Sequence, residues 1–156
     1  MVSRRRSLGR DDSRGVLGEL LASADPAVLR RRRHPDVWSP LEYSAHVGEA
    51  VLWYAGRIRR VLDEECPRLE PFDWDAATRL GGYNRRSADR VRGDAGAACQ
   101  ELADLARSLR PEQLRRQGMG SDGSPRSVEL LLARAGHELA HHELDLRRGL
   151  GLAQVH

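Results

Sequence analysis

Near the C-terminal end the chain reads His137-Glu138-Leu139-Ala140-His141-His142. On a helix, residues four apart are rotated by roughly 40° and rise about 6 Å, so the imidazoles of His137 and His141 can reach one ion. His137 and His142 diverge by about 140° on the same arithmetic, which sets His142 aside as a partner. A third imidazole is available upstream in His46, whose same-face helical neighbours are Ala50 and Trp53. A small residue one turn away leaves room for an ion and its ligand. Three neutral imidazoles bind a divalent transition metal without fixing whether it is zinc, nickel or iron. They also leave at least one coordination position open, the arrangement of a catalytic rather than a structural site.

His-Glu-x-x-His is also the helix signature of zincin proteases, in which the glutamate is the general base. The context argues against that reading. Zincins add a sheet and a downstream ligand, whereas only 15 residues follow His141, and neither His142 nor the terminal His156 has a sensible spacing. Glu138 lies about 60–100° around the helix from the histidine pair, which gives it at most a supporting role behind the ligands. Cys66 and Cys99 form no Cys-x-x-Cys pair, and Cys99 falls on an apolar stripe. A buried thiol is expected there, and no disulfide framework is indicated.

Four amphipathic helices must position these side chains. A first, near Ser13–Ser23, carries Val16, Leu17, Leu20 and Leu21 at helical spacing, and Asp25-Pro26 starts another turn or two. The second has the clearest start: Ser39 as cap, Pro40 in the first turn, Glu42 completing a capping box, and Trp38 with Tyr43 as a hydrophobic staple. It should run from Pro40 to about Glu65 and stop before Pro67. A linker rich in turn formers follows, from Pro67 to about Ser87. In the third helix Ala88, Val91, Ala95, Ala98, Leu102, Leu105 and Leu109 alternate by three and four, one seam for a bundle. A Gly/Ser loop at Gly118–Ser124 leads into the fourth, from about Ser127 to Arg148. Its stripe of Val128, Leu131, Leu132, Ala135, Leu139 and Leu146 includes His142, with His137 and His141 nearly opposite. No strand is signalled. The expected architecture is an all-α four-helix bundle over residues 13–150, preceded by a frayed polar tail at 1–12.

Composition agrees. At 156 residues the chain makes one ordinary domain, and with 4% aromatics its core must come from Leu, Ala and Val, which favours helices. No apolar run approaches the roughly 18–20 residues of a membrane span. Nor does an apolar signal segment follow the basic Met1–Arg6, so a cytoplasmic location is expected. All 26 basic residues are arginine and none is lysine, while net charge is only +3. Selection for phosphate binding would not exclude lysine, a good phosphate partner, so codon bias explains this better. The run Arg30–Arg33 therefore reads as solvated surface rather than a nucleic-acid patch.

The segments Trp38-Ser39-Pro40-Leu41-Glu42-Tyr43-Ser44-Ala45-His46, Phe72-Asp73-Trp74-Asp75-Ala76-Ala77 and His137-x-x-x-His141-His142 resemble the DinB-like superfamily, which includes the metal-binding domain of mycothiol-dependent maleylpyruvate isomerase. The similarity spans about Val37 to Arg148. It implies an up-up-down-down bundle, frequent homodimers, and a metal held by one histidine of the second helix and two of the fourth, positions that fall on His46, His137 and His141. It further implies a metal-dependent transferase using a low-molecular-weight thiol, mycothiol or bacillithiol, against a small electrophile. A hydrolase acting through water on the ion and a non-catalytic metal- or metabolite-binding bundle are the alternatives. Trp53, Arg57 and Tyr83 are candidate substrate-pocket residues, although packing or surface charge accounts for the same residue types.

Overall fold

The computed structural model describes residues 12–152, with side chains from Leu17 onward. The chain runs α1 (Asp12–Ser23), α2 (Pro26–Arg30), α3 (Pro40–Asp63), β1 (Arg68–Leu69), α4 (Trp74–Leu80), α5 (Ala88–Ser108), β2 (Gln117–Gly120), β3 (Pro125–Ser127) and α6 (Val128–Gly149), with 3-10 turns at Tyr83–Arg85 and Gln113–Arg115. The tail assigned to residues 1–12 lies outside the described residues except for Asp12, which begins α1; His156 also lies outside them.

Helix α3 starts as its sequence dictates. The Ser39 hydroxyl accepts from the Glu42 amide at 3.2 Å and the Glu42 carboxylate accepts from the Ser39 amide at 2.8 Å, a complete capping box. Trp38 and Tyr43 form the staple, with ring centroids 5.4 Å apart. Arg32 then closes on Glu42 with two hydrogen bonds of 2.8 and 2.6 Å, so the buried carboxylate is paired as well as capping. The Ser39 hydroxyl donates to Asn84 Oδ1 at 2.6 Å, and Asn84 donates to the Arg30 carbonyl at 2.9 Å. The segment before α3 is thereby tied to the segment before α5. Arg30 and Arg32 of the arginine run are thus engaged in the fold.

The long helices make the expected bundle, with α3 and α1 each packed against α5 and α6. Leu21, Val51, Ile58, Ala98, Leu131 and Leu146 join one continuous core. The order of directions differs from up-up-down-down. Gly48 lies against Ala95, where an added Cβ would come within 3.2 Å of the Ala95 Cα, and Arg59 pairs with Glu101 at 2.7 Å. Residue numbers therefore rise together along α3 and α5, and the two helices are parallel. Helix α6 opposes them: its Gly149 meets Pro40, the first residue of α3, and Glu138 faces His46. Residues 64–87 must return along the bundle for α5 to start at the same end as α3. Far from being a bare linker, that segment folds into α4, capped by Asp73 accepting from the Ala76 amide at 2.9 Å.

A small sheet, which the sequence did not signal, closes the other end. Strand β1 pairs in parallel with β2, and β2 pairs antiparallel with β3, so part of the expected Gly/Ser loop is a hairpin. Gly118 explains the close approach: a Cβ there would lie 2.8 Å from a Leu69 methyl and 2.9 Å from the Pro67 carbonyl. Two- to four-residue strands leave no alternating pattern to detect, and the partner of β2 is some fifty residues upstream.

Candidate metal centre

Helix α6 carries its apolar stripe toward α3. Val128, Leu131, Ala135 and Leu146 are buried, and His142 and Glu138 share the sector that faces His46. His46 Nε2 lies 3.6 Å from Glu138 Oε2, and His142 Nε2 lies 3.1 Å from the same oxygen. The ligand atoms of His46, Glu138 and His142 all fall within 4.8 Å of one another. For ligands about 2.1 Å from a tetrahedral ion, geometry requires ligand atoms about 3.4 Å apart, and the two measured separations bracket that value.

The expected triad of His46, His137 and His141 is not brought together. His46 takes its place, but the α6 partners are Glu138 and His142. His137 and His141 stack on each other with centroids 5.7 Å apart and are exposed. They lie one turn apart on one exposed face, where His137 borders a groove with Tyr54 of α3 and the His141 ring lies 5.1 Å from that of His142. The signal that identifies the inward pair was visible: His142 belongs to the stripe of Leu131, Ala135 and Leu146, and Glu138 lies one turn before it. Stepping one residue along the helix turns the i, i+4 pair by about 100°, so the choice between 137/141 and 138/142 is a choice of face.

His142 is flanked by two carboxylates. Its Nδ1 meets Asp145 Oδ2 at 3.0 Å while its Nε2 meets Glu138. A neutral imidazole has one N–H, so it can donate to only one of them. With a proton on Nδ1 toward Asp145, the Nε2 lone pair would face the Glu138 oxygen, where a cation could bridge the two. Asp145 is itself held by Arg148 at 3.4 Å, the layout in which a carboxylate orients a metal-binding histidine. Tyr43 packs against the His142 ring at 5.4 Å, and only 11% of the His142 side chain is exposed.

His46 is 3% exposed and boxed by rings: Trp38 at 5.1 Å, Trp74 at 4.9 Å and His142 at 4.7 Å between centroids. Burial, and then the neighbouring His142, push its pKa below the ordinary histidine value, with the Glu138 carboxylate opposing them. It is therefore neutral at pH 7, the form that binds metals. Its buried Nδ1 has no hydrogen-bond partner. An unsatisfied buried nitrogen costs about 1–3 kcal/mol, so the ring is placed for something other than fold stability. Two imidazoles and a carboxylate form a donor set suited to zinc or iron and leave positions open.

The pocket candidates divide. Trp53 lies beside the cluster, edge-on to Trp74 at 5.5 Å, and the Arg57 guanidinium sits over the Trp53 ring at 3.8 Å. Tyr83 is enclosed in the core rather than set beside the cluster. It is 1% exposed, its hydroxyl donates to Glu49, and Arg86 bonds the same carboxylate at 2.9 Å, so it is a strut between α3 and the segment before α5. Burial, then the bond to Glu49, push its pKa up, so the hydroxyl keeps its proton.

The family model of the DinB superfamily matches residues 11–145. The chain belongs to the DinB superfamily. A search of curated proteins finds no match. Among solved structures, YfiT from Bacillus subtilis, described as a probable metal-dependent hydrolase with an unusual four-helix bundle topology, is 20% identical with a TM-score of 0.69, over 97% of this chain and 95% of YfiT. The mycothiol-dependent maleylpyruvate isomerase is 16% identical with a TM-score of 0.68, over 86% of this chain and 56% of the isomerase. A histidine-to-alanine mutant of that isomerase is 15% identical with a TM-score of 0.70, over 92% of this chain and 58% of its own. At these identities the likeness is one of DinB fold, and this chain spans little more than half of the isomerase. Among the described residues no helix is long and apolar enough to cross a membrane.

Proposed function

We propose that this DinB protein is a divalent-metal enzyme that activates a low-molecular-weight thiol, of the mycothiol or bacillithiol type, for transfer to a small electrophile. The observation that carries the metal reading is the convergence of His46, Glu138 and His142, with the His142 ring set between the Glu138 and Asp145 carboxylates. His46, Glu138 and His142 would hold the ion, and a bound ion supplies Lewis acidity that favours the thiolate over the thiol.

The chain's own residues do the rest. Asp145 fixes the His142 ring through Nδ1, so that Nε2 is aimed at Glu138 and the ion it would share. The burial of His46 keeps that imidazole neutral, and Trp38 and Trp74 exclude water from its faces. Glu138 is the most exposed member of the cluster, ahead of His142 and His46.

Hydrolysis, with water in place of the thiol, is the second reading. It is favoured by the near-complete overlap with YfiT, against little more than half of the isomerase. Feeding metal-loaded protein small electrophiles with and without mycothiol or bacillithiol separates the two: turnover only with thiol supports transfer, and equal turnover without it supports hydrolysis. Elemental analysis of untagged protein tests the metal, with zinc, nickel or iron near one per chain expected and none in the His142→Ala variant. The reading includes a cytoplasmic homodimer, checked by cell fractionation and analytical ultracentrifugation.

A further inference from the structure

The chain has three tryptophans, three tyrosines and one phenylalanine, and the core is built almost without them: of its buried members only Tyr83 is aromatic. Every other aromatic ring belongs to one connected set around the metal cluster. Trp38 meets both Tyr43 and His46, and His46 meets Trp74 at 4.9 Å. Trp74 then meets Phe72 at 4.4 Å and Trp53 at 5.5 Å, and Trp53 meets Tyr54 at 5.0 Å.

The outer end of this set is open. Phe72 is 47% exposed, and Trp53 and Trp74 beside it are only half-buried. Pinning α4 to α3 needs the inward side of Trp74 and does not need a phenylalanine turned out before the helix, where its exposed apolar surface is unfavourable in water. The surface is also held in place. The Arg57 guanidinium lies over the Trp53 ring at 3.8 Å and donates to the Glu70 carbonyl at 2.7 Å, which ties the segment just before Phe72 to α3.

We propose that Phe72, Trp53 and Trp74 form a ledge that seats the planar aromatic ring of the substrate, with its electrophilic atom turned toward the His46–Glu138–His142 cluster. Only Trp74 stands between Phe72 and His46, through the two ring contacts of 4.4 and 4.9 Å, a gap that a small one- or two-ring molecule can bridge. Trp53 and Trp74 stand at 83° to one another, so the ledge presents both a ring face and a ring edge. An aromatic guest gains from both, whereas a saturated one gains only the burial of its area. The inference names the substrate class for the function proposed above and rests on that reading only for the reaction at the metal.

The probe is 1-naphthol, with its saturated counterpart decahydro-1-naphthol as control, measured by equilibrium dialysis against zinc-loaded and chelator-stripped protein. The variants are Phe72→Ala, Phe72→Leu and Phe72→Tyr; because the ring is exposed, all three should keep the parental melt and zinc content. 1-Naphthol should bind both forms of the parent, and the saturated alcohol about fivefold more weakly. Phe72→Ala should weaken 1-naphthol about tenfold and Phe72→Leu about fivefold, while Phe72→Tyr restores it. Cobalt in place of zinc should broaden the proton resonances of bound 1-naphthol. Equal affinity for the saturated alcohol overturns the inference, as does unchanged 1-naphthol binding in Phe72→Ala, or lines that cobalt leaves sharp. A Phe72→Ala protein that sediments as a smaller species yet binds 1-naphthol like the parent assigns the surface to a subunit contact and overturns it too. A parent protein that takes up no metal but binds 1-naphthol through Phe72 sinks the metal reading and leaves the ledge standing. Metal uptake with 1-naphthol binding indifferent to Phe72 does the reverse.

Discussion

Helix α6 presents two pairs of chemically capable side chains, each with i, i+4 spacing, on two different faces. His137 and His141 stack in the open with their rings 5.7 Å apart. Glu138 and His142, one residue further along, turn into the bundle and meet His46 and Asp145. The outward pair has the more eye-catching composition and the inward pair has the surroundings: a buried partner imidazole, a supporting carboxylate and aromatic walls. A metal centre is made by convergence of separate elements, and a helix alone supplies only half of one.

The sharpest break of this comparison is at its inner side. His142→Ala or His46→Ala should raise the zinc Kd by more than a hundredfold, read by competition with a fluorescent chelator; unchanged affinity in both would sink the inward assignment. Asp145→Asn keeps the ligands but removes the carboxylate that fixes the His142 tautomer. It should weaken zinc by about 10- to 100-fold while the melting temperature barely moves. Tyr83→Phe probes the strut: losing the hydroxyl should cost about 1–3 kcal/mol in denaturant unfolding, softened by Arg86, and leave the KM of any substrate alone. A KM change at constant stability would return Tyr83 to the pocket. At the outer side, His137→Ala and His141→Ala should leave zinc content at the parental level, within error of the same competition assay.

Much of this was legible in the sequence, for reasons of range. The start of α3 is written in six consecutive residues, Trp38 to Tyr43, because caps and staples are local contacts, and helices α3 and α6 end within two residues of the ends their sequence implies. His46 was legible because it sits in that same local context. The inward pair of α6 is harder to find because the i, i+4 imidazole spacing of His137 and His141 stands out more than the phase of the apolar stripe. The stripe records which face meets the neighbouring helix, and His142 lies on it. The parallel course of α3 and α5 and the β1–β2 pairing were not legible, since both rest on contacts between segments far apart, Gly48 with Ala95 and Gly118 with Leu69. A glycine marks each close approach, but its partner is written elsewhere in the chain.

Because His46 lies in the first third of the sequence and Glu138 with His142 near its end, a denatured chain cannot assemble the cluster. Any ion bound there is linked thermodynamically to the native state: at a free concentration of a hundred times its Kd it adds about 2.7 kcal/mol to unfolding. The melting temperature thus becomes a gauge of occupancy, rising with each increment of metal. A mutation elsewhere in the bundle that lowers stability should be offset by added zinc, as long as His46 and His142 are intact.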